Sequence, residues 1–240
     1  MRRVCVYTAI YGDYDTLKPI PKQDVPCDYV CFTDNPLLRN PGSWSVIYSP
    51  MLLDQHPRIR ARFFKVLHDR VFKQARLTHP RSILQRFFPG RTRYDYTVWI
   101  DGSIQVKNSA FVREFTDHVR LSGWSMFLHP DRSCIYTEAE VSKTMPKYRE
   151  QPIGEQIEAY RSEGYPAGNG LMATGLIARS TSADLSAINE RWWNENMQWT
   201  YQDQISLPVV LWRLGRTYDA VQKNLWTNEW FDWIPHRSNG

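Results

Sequence analysis

The chain has 240 residues, 42% of them hydrophobic and 23% charged, enough apolar material for a sizeable core and too much for a disordered chain. No run approaches the ~18 consecutive apolar residues of a membrane span, and the start M-R-R-V-C-V-Y-T holds no apolar signal region. The net charge of +5 conceals an asymmetry: His56 to Arg93 carries eleven basic residues against one acid, Asp69, for +10, while the other 19 basic and 24 acidic residues give −5.

In chain order, Arg3–Thr8 reads as a strand that runs into the turn-rich loop Tyr11-Gly12-Asp13-Tyr14-Asp15. A second strand, Asp28–Thr33, stops at Asp34-Asn35-Pro36, and Trp44–Tyr48 makes a third. Pro57 then opens a helix. Ile59, Phe63, Leu67, Val71 and Ala75 recur every four residues, which predicts one amphipathic helix to about Leu77 with its cations on the other faces. Residues 79–93 read as a basic loop or short helical insertion. Tyr94–Ile100 is a buried strand delivering Asp101-Gly102-Ser103, and Asn108 caps a helix. Ser125–Leu128 is a strand ending at His129-Pro130. Helices follow near 136–145 and 152–163, then a strand over Leu171–Ala178, and helices over 182–195 and 202–214. Strands alternating with helices predict an α/β fold: one domain, with a mainly parallel central sheet flanked by helices. Ligands in such sheets sit outside the carboxyl ends of the strands.

Several segments carry possible chemistry. V-W-I-D-G-S at 98–103 delivers a carboxylate, a glycine and a hydroxyl, a set that suits a divalent cation and a phosphate and equally suits a strand cap followed by a turn. T-A-I-Y-G-D-Y-D is a loop that could hold a base or simply form a tight turn. Arg58, Arg60, Arg62 and Lys65 open the basic helix, as an anion site or as a solvated face. Asp203-Gln204 begins a helix, where the pair could face a polar substrate or act as a cap. Seven of the ten tryptophans follow residue 190, and W-T-N-E-W-F-D-W mixes them with polar residues, which suits a half-exposed surface for sugar rings. The four cysteines, Cys5, Cys27, Cys31 and Cys134, form no C-x-x-C, so neither structural zinc nor a disulfide framework is expected and a cytoplasmic setting fits. Walker A, H-E-x-x-H and G-x-S-x-G sequences are absent.

Taken together, V-Y-T-A-I-Y-G-D-Y-D, D-Y-V-C-F-T-D-N, P-R-I-R-A-R-F-F-K-V-L-H, Y-D-Y-T-V-W-I-D-G-S-I, F-L-H-P, G-L-M-A-T-G-L-I-A-R and Y-Q-D-Q-I-S-L-P resemble a known family. It is the glycosyltransferase-like domain of plant mucilage-synthesis proteins, found also in bacterial polysaccharide loci. That family is similar to type-A nucleotide-sugar glycosyltransferases, with a Rossmann-like α/β sheet, a UDP-sugar donor and often Mn²⁺ or Mg²⁺. The resemblance implies that Asp101 and Ser103 stand at the first and third positions of a D-x-D metal motif, with Ser103 replacing the second aspartate, and that His236 is a late metal ligand. It implies that Thr8, Tyr11, Gly12, Tyr14 and Asp34 line the nucleotide pocket. Arg62 and Lys65 would match an R-x-x-K facing the donor, Asp203 and Gln204 a D-Q pair beside the transferred sugar, and His129 a contact to acceptor or sugar. The D-Q likeness favours retention at the anomeric carbon.

The function expected is transfer of a sugar from a nucleotide-diphosphate donor to a polysaccharide or glycolipid acceptor, in the cytoplasm or peripherally on the inner membrane. The charges from Arg70 to Arg93 would face an anionic acceptor or membrane. Two other readings are nucleic-acid binding through residues 56–93, for which no recognised signature exists, and metal-dependent hydrolysis.

Overall fold

The computed structural model describes residues 2–72 and 94–234. Three apolar runs make the middle of the sheet: β1 (Val4–Ile10), β2 (Cys27–Thr33) and, after β3 (Ser45–Tyr48), β4 (Tyr96–Ile100). Every residue of β1 is buried, as expected of a central strand covered on both faces. Short β5 (Ile104–Val106) follows, then β6 (Trp124–Leu128), β7 (Met172–Ser180), β8 (Asp219–Val221) and β9 (Phe231–Trp233). Seven of them form one sheet in the order β3-β2-β1-β4-β7-β6-β8, and β5 pairs with β9 in a separate ribbon. β7 runs antiparallel to both of its neighbours, while the other pairings in the large sheet are parallel. The expected single-domain α/β architecture with a mainly parallel sheet is therefore present.

The helices are α1 (Pro57–Val66), α2 (His68–Phe72), α3 (Phe111–Asp117), α4 (Ile135–Lys143), α5 (Ile153–Ser162), α6 (Ser186–Gln198) and α7 (Asp203–Leu214). One sheet face packs on Phe111, Phe115 and Trp230, and the other on Phe64, Trp192 and Leu207. Among the described residues no helix is long and apolar enough to cross a membrane.

The helix expected to run unbroken from Pro57 to about Leu77 instead breaks at Leu67, whose ψ of 42° ends α1. The break turns both Leu67 and His68 inward, and His68 Nδ1 lies 3.1 Å from the Asn189 amide nitrogen. An unbroken helix would carry these neighbours to different faces. Residues 73–77 of that helix and the basic insertion at 79–93 lie outside the described residues.

Candidate active site

β1 connects to β2 on one side, while β4 is its neighbour on the other. Loops leaving the carboxyl ends of β1 and β4 therefore diverge and leave a crevice, the usual ligand position in such sheets. Because β7 is antiparallel, it contributes its amino end to the same edge. Its register against β6 shifts between Met126, opposite Ile177, and Phe127, opposite Ala173. Thr174 falls in that irregularity and lines the crevice, a cleft of about 210 Å³.

α1 supplies the cations. Arg58, Arg62 and Lys65 are spaced so that they share one helix face. That face points into the protein rather than into water: Lys65 is fully buried, and Arg62 is partly exposed towards the cleft that it lines. Lys65 Nζ lies 2.7 Å from Asp203 Oδ2, 3.2 Å from Thr174 Oγ1 and 3.5 Å from Asp101 Oδ1. Arg62 Nε sits 3.0 Å from the same Asp203 oxygen, and Thr174 donates to Asp203 Oδ1 at 3.0 Å. Asp101 also accepts from Trp99 Nε1 at 2.6 Å. Burial pushes the Lys65 ammonium below its ordinary value despite both carboxylates. Burial would raise Asp203, but Arg62 and Lys65 together outweigh it and hold its carboxyl below the usual range.

The opposite wall holds a second charged group. Glu138 on α4 is buried, receives Arg132 Nε at 2.5 Å and accepts from the side-chain amides of Gln202 at 2.8 Å and Gln204 at 3.4 Å. His129, at the end of β6, accepts two backbone N–H groups at Nδ1, both at 3.2 Å. Its Nε2 faces Arg132 at 3.0 Å and Glu138 at 3.7 Å. Burial lowers its pKa first, Glu138 opposing, so the ring is neutral near pH 7. Consecutive residues of α7 thus serve two networks, Asp203 with α1 and Gln204 with α4.

Of the other residues predicted from sequence, Tyr14 lines the cleft beneath the Arg58 guanidinium, which lies 3.6 Å over its ring. Tyr11 lines it too, with its hydroxyl donating to the Ser49 carbonyl at 2.7 Å. Gly12 and Asp34 form a joint beside the cleft: the Gly12 N–H donates to Asp34 at 3.1 Å, and Asp34 pairs with Arg60 at 2.8 Å. Thr8 is buried and borders a separate small hollow near Lys18 and Trp44. Asp101 lines the cleft. Ser103 is absent from its lining and fully buried, with a hydroxyl that has no hydrogen-bond partner among the described residues. His236 lies outside the described residues. Among the described residues, no three His, Cys, Asp or Glu side chains converge to hold a metal ion.

Glu138, Arg132, Lys147, Tyr148 and Thr174 carry no signal in the sequence, yet they line this cleft together with Trp226 and Trp233. Only the polar-aromatic mixture at 226–233 gave a signal. The basic segment also reads differently in space. Arg60 pairs with Asp34, Arg62 and Lys65 pair with Asp203, and half-exposed Arg70 lies 3.4 Å from Glu190. Arg81, Arg86, Arg91 and Arg93 lie outside the described residues.

A family model described as TOD1/MUCI70, glycosyltransferase-like domain, matches residues 1–236. The chain is also similar to a protein of Arabidopsis thaliana named "Probable hexosyltransferase MUCI70", with 23% identity over 243 aligned positions. The match covers 93% of this chain and 41% of that protein, so the chain spans about two fifths of the relative's length.

Proposed function

From the premise that the chain belongs to the TOD1/MUCI70 glycosyltransferase-like family, we propose that it transfers a hexose from a nucleotide-diphosphate sugar, with UDP as the nucleotide, to a saccharide or glycolipid acceptor. The observation that carries this reading is a switch-point cleft whose cations, Arg58, Arg62 and Lys147, stand beside the buried Asp203–Lys65 pair and the carboxylate of Asp101.

In the reaction the bond between the anomeric carbon and the diphosphate oxygen breaks while the acceptor hydroxyl oxygen bonds to that carbon and its proton passes to the departing diphosphate. Negative charge grows on the departing diphosphate, so preorganised cations stabilise the transition state more than the ground state. Arg62 suits that task because Asp203 fixes its guanidinium. Asp203 and Gln204 orient the donor hexose, and Tyr14 with Tyr11 borders the nucleotide. His129 Nδ1 accepts two backbone N–H groups, which leaves the ring proton on Nε2 towards Glu138, and the residue borders the cleft where acceptor or sugar would lie. Asp101 alone of the expected metal ligands both lies within the described residues and reaches the cleft. Asp101 would share the coordination of Mn²⁺ or Mg²⁺ with the donor diphosphate and water, and such an ion would neutralise charge on the leaving group; no step here is routed through it.

The test is a thermal-shift screen of nucleotide-sugars with and without Mn²⁺. At least one UDP-sugar is expected to raise the melting temperature. Silence from every nucleotide-sugar under both conditions would overturn the reading, and the Mn²⁺ arm reads directly whether an ion contributes.

Lys147 gives a pH signature. Burial first, then Arg58 and Arg62, push its pKa down to about 8. A diphosphate beside it would pull a proton back on. UDP affinity is therefore expected to fall as pH rises from 7 to 9, with proton uptake on binding above pH 8. Calorimetry in buffers of different ionisation heat measures that uptake, and Lys147→Met should flatten the dependence.

A further inference from the structure

One wall of the cleft is built from aromatic side chains whose form is unexplained by the chemistry above. Trp226 lines the cleft yet is 48% exposed. Its backbone is fixed by Asn224 Oδ1, which accepts the N–H groups of Trp226 and Thr227 at 2.8 and 3.0 Å. Its indole N–H donates to the Asp131 carboxylate at 3.1 Å. Trp233 meets it edge to face, 5.5 Å between ring centroids. Trp233 in turn lies over Gly175 of β7, where a side-chain carbon would sit 3.4 Å from the ring. Its own strand is tied back by the Ile234 N–H, which donates to the Ser103 carbonyl at 2.7 Å.

Trp226 is thus held in one orientation by its polar atom and its neighbours, while much of its apolar face stays in water. An indole that gains only from burial would turn inward. One held rigid and open is suited to a flat, partly apolar ligand. Sugar rings offer such a face in their C–H bonds, with hydroxyls around the rim; Asp131 lies beside Trp226 and Arg132 lines the same cleft, both polar groups able to meet hydroxyls. The diphosphate end of a donor belongs at Arg58, Arg62 and Lys147 on other elements, which leaves the tryptophan wall for the second substrate.

We propose that Trp226, braced by Asp131 and Trp233, is the platform on which the acceptor saccharide stacks. This rests on the glycosyltransferase reading, and the test separates the two. The probes are UDP, titrated by calorimetry, and a printed array of oligosaccharides. Wild-type protein is expected to retain a subset of the array. Trp226→Ala should lose about tenfold or more in affinity for that subset, Trp226→Phe should fall between the two, and UDP affinity should stay within about twofold in both. Equal saccharide binding by wild type and Trp226→Ala overturns the platform, as does a wild-type protein that retains no saccharide. Saccharide binding that depends on Trp226 without any UDP binding would refute the transferase reading and leave the platform standing.

Discussion

Asp203→Ala is expected to cut transfer severely and to destabilise the fold by about 3–5 kcal/mol, the usual effect of removing one partner from a buried ion pair. Lys65 is fully buried, and Asp203 is its nearest carboxylate at 2.7 Å, against 3.5 Å for Asp101. Without Asp203 the ammonium keeps, among the described residues, the longer contact with Asp101 and the Thr174 hydroxyl, and Arg62 loses the group that orients it. The chemical loss should reach about 10²–10³ in kcat, the scale seen when a preorganised electrostatic group is removed. Two measurements separate the causes. Lys65→Met combined with Asp203→Leu removes both charges and should recover most of the stability without recovering transfer. The pH dependence of unfolding should also change. In the wild type Asp203 titrates below its unfolded value, so its contribution is present above about pH 4 and is lost as pH falls through the folded value. In Asp203→Ala the Lys65 pKa drops further below that of the unfolded chain. The unfolded state then holds more protons, and stability should rise with pH up to about 10. A variant as stable and as active as wild type would remove Asp203 from both roles.

Gly12→Ala should be the second most damaging change, although Gly12 contributes no side chain and only shares its N–H between the two oxygens of Asp34. Its φ is +65°, a region costing other residues about 1–2 kcal/mol. An added Cβ would lie 2.7 Å from Pro57 Cγ and 2.8 Å from Pro57 Cβ. Pro57 is the first residue of α1 and its ring cannot turn aside, so relief requires shifting the helix that carries Arg58, Arg62 and Lys65. We expect a loss of about 2–4 kcal/mol in denaturant unfolding and at least a tenfold weaker UDP affinity by calorimetry. Gly154 on α5 supplies the control. A Cβ there meets nothing within 4 Å, so Gly154→Ala should be neutral or slightly stabilising. If both alanine variants unfolded alike, the contact with Pro57 would have no consequence.

The contrast between these glycines shows what could be read from sequence. β1, β2 and β4 were legible because continuous apolar runs can only be buried strands or helices, and their flanking turns fix their length. The break at Leu67 was not, since the apolar period continues through it. Strand direction was equally hidden, as β7 is as buried as a parallel strand would be. Three-residue β5, β8 and β9 are too short for any period to register. The site followed the same division. Asp101 and the Asp203-Gln204 pair stood out because they sit where an apolar element begins or ends. Lys65 lies off the apolar stripe, and from sequence its face reads as an anion site or as a solvated surface, not as a buried ion pair. Its burial depends on a counter-ion from α7, far along the chain, and only the fold reveals that meeting. Glu138 and Arg132 looked like ordinary charges near a helix start, for the same reason.

The pairing of Val106 with Phe231 has a bearing on how the protein comes to exist in the cell. During synthesis β4, β5 and the cation helix leave the ribosome long before β9 and its tryptophans. The growing chain can pair β1, β2 and β4 early, but Ile104–Val106 stays an open strand edge until Phe231–Trp233 emerges. Such sequence-distant pairing slows folding and leaves an unpaired edge exposed in the meantime. Nascent chains stalled before Phe231 should therefore be protease-sensitive around residues 104–106 and acquire saccharide binding only after β9 is released.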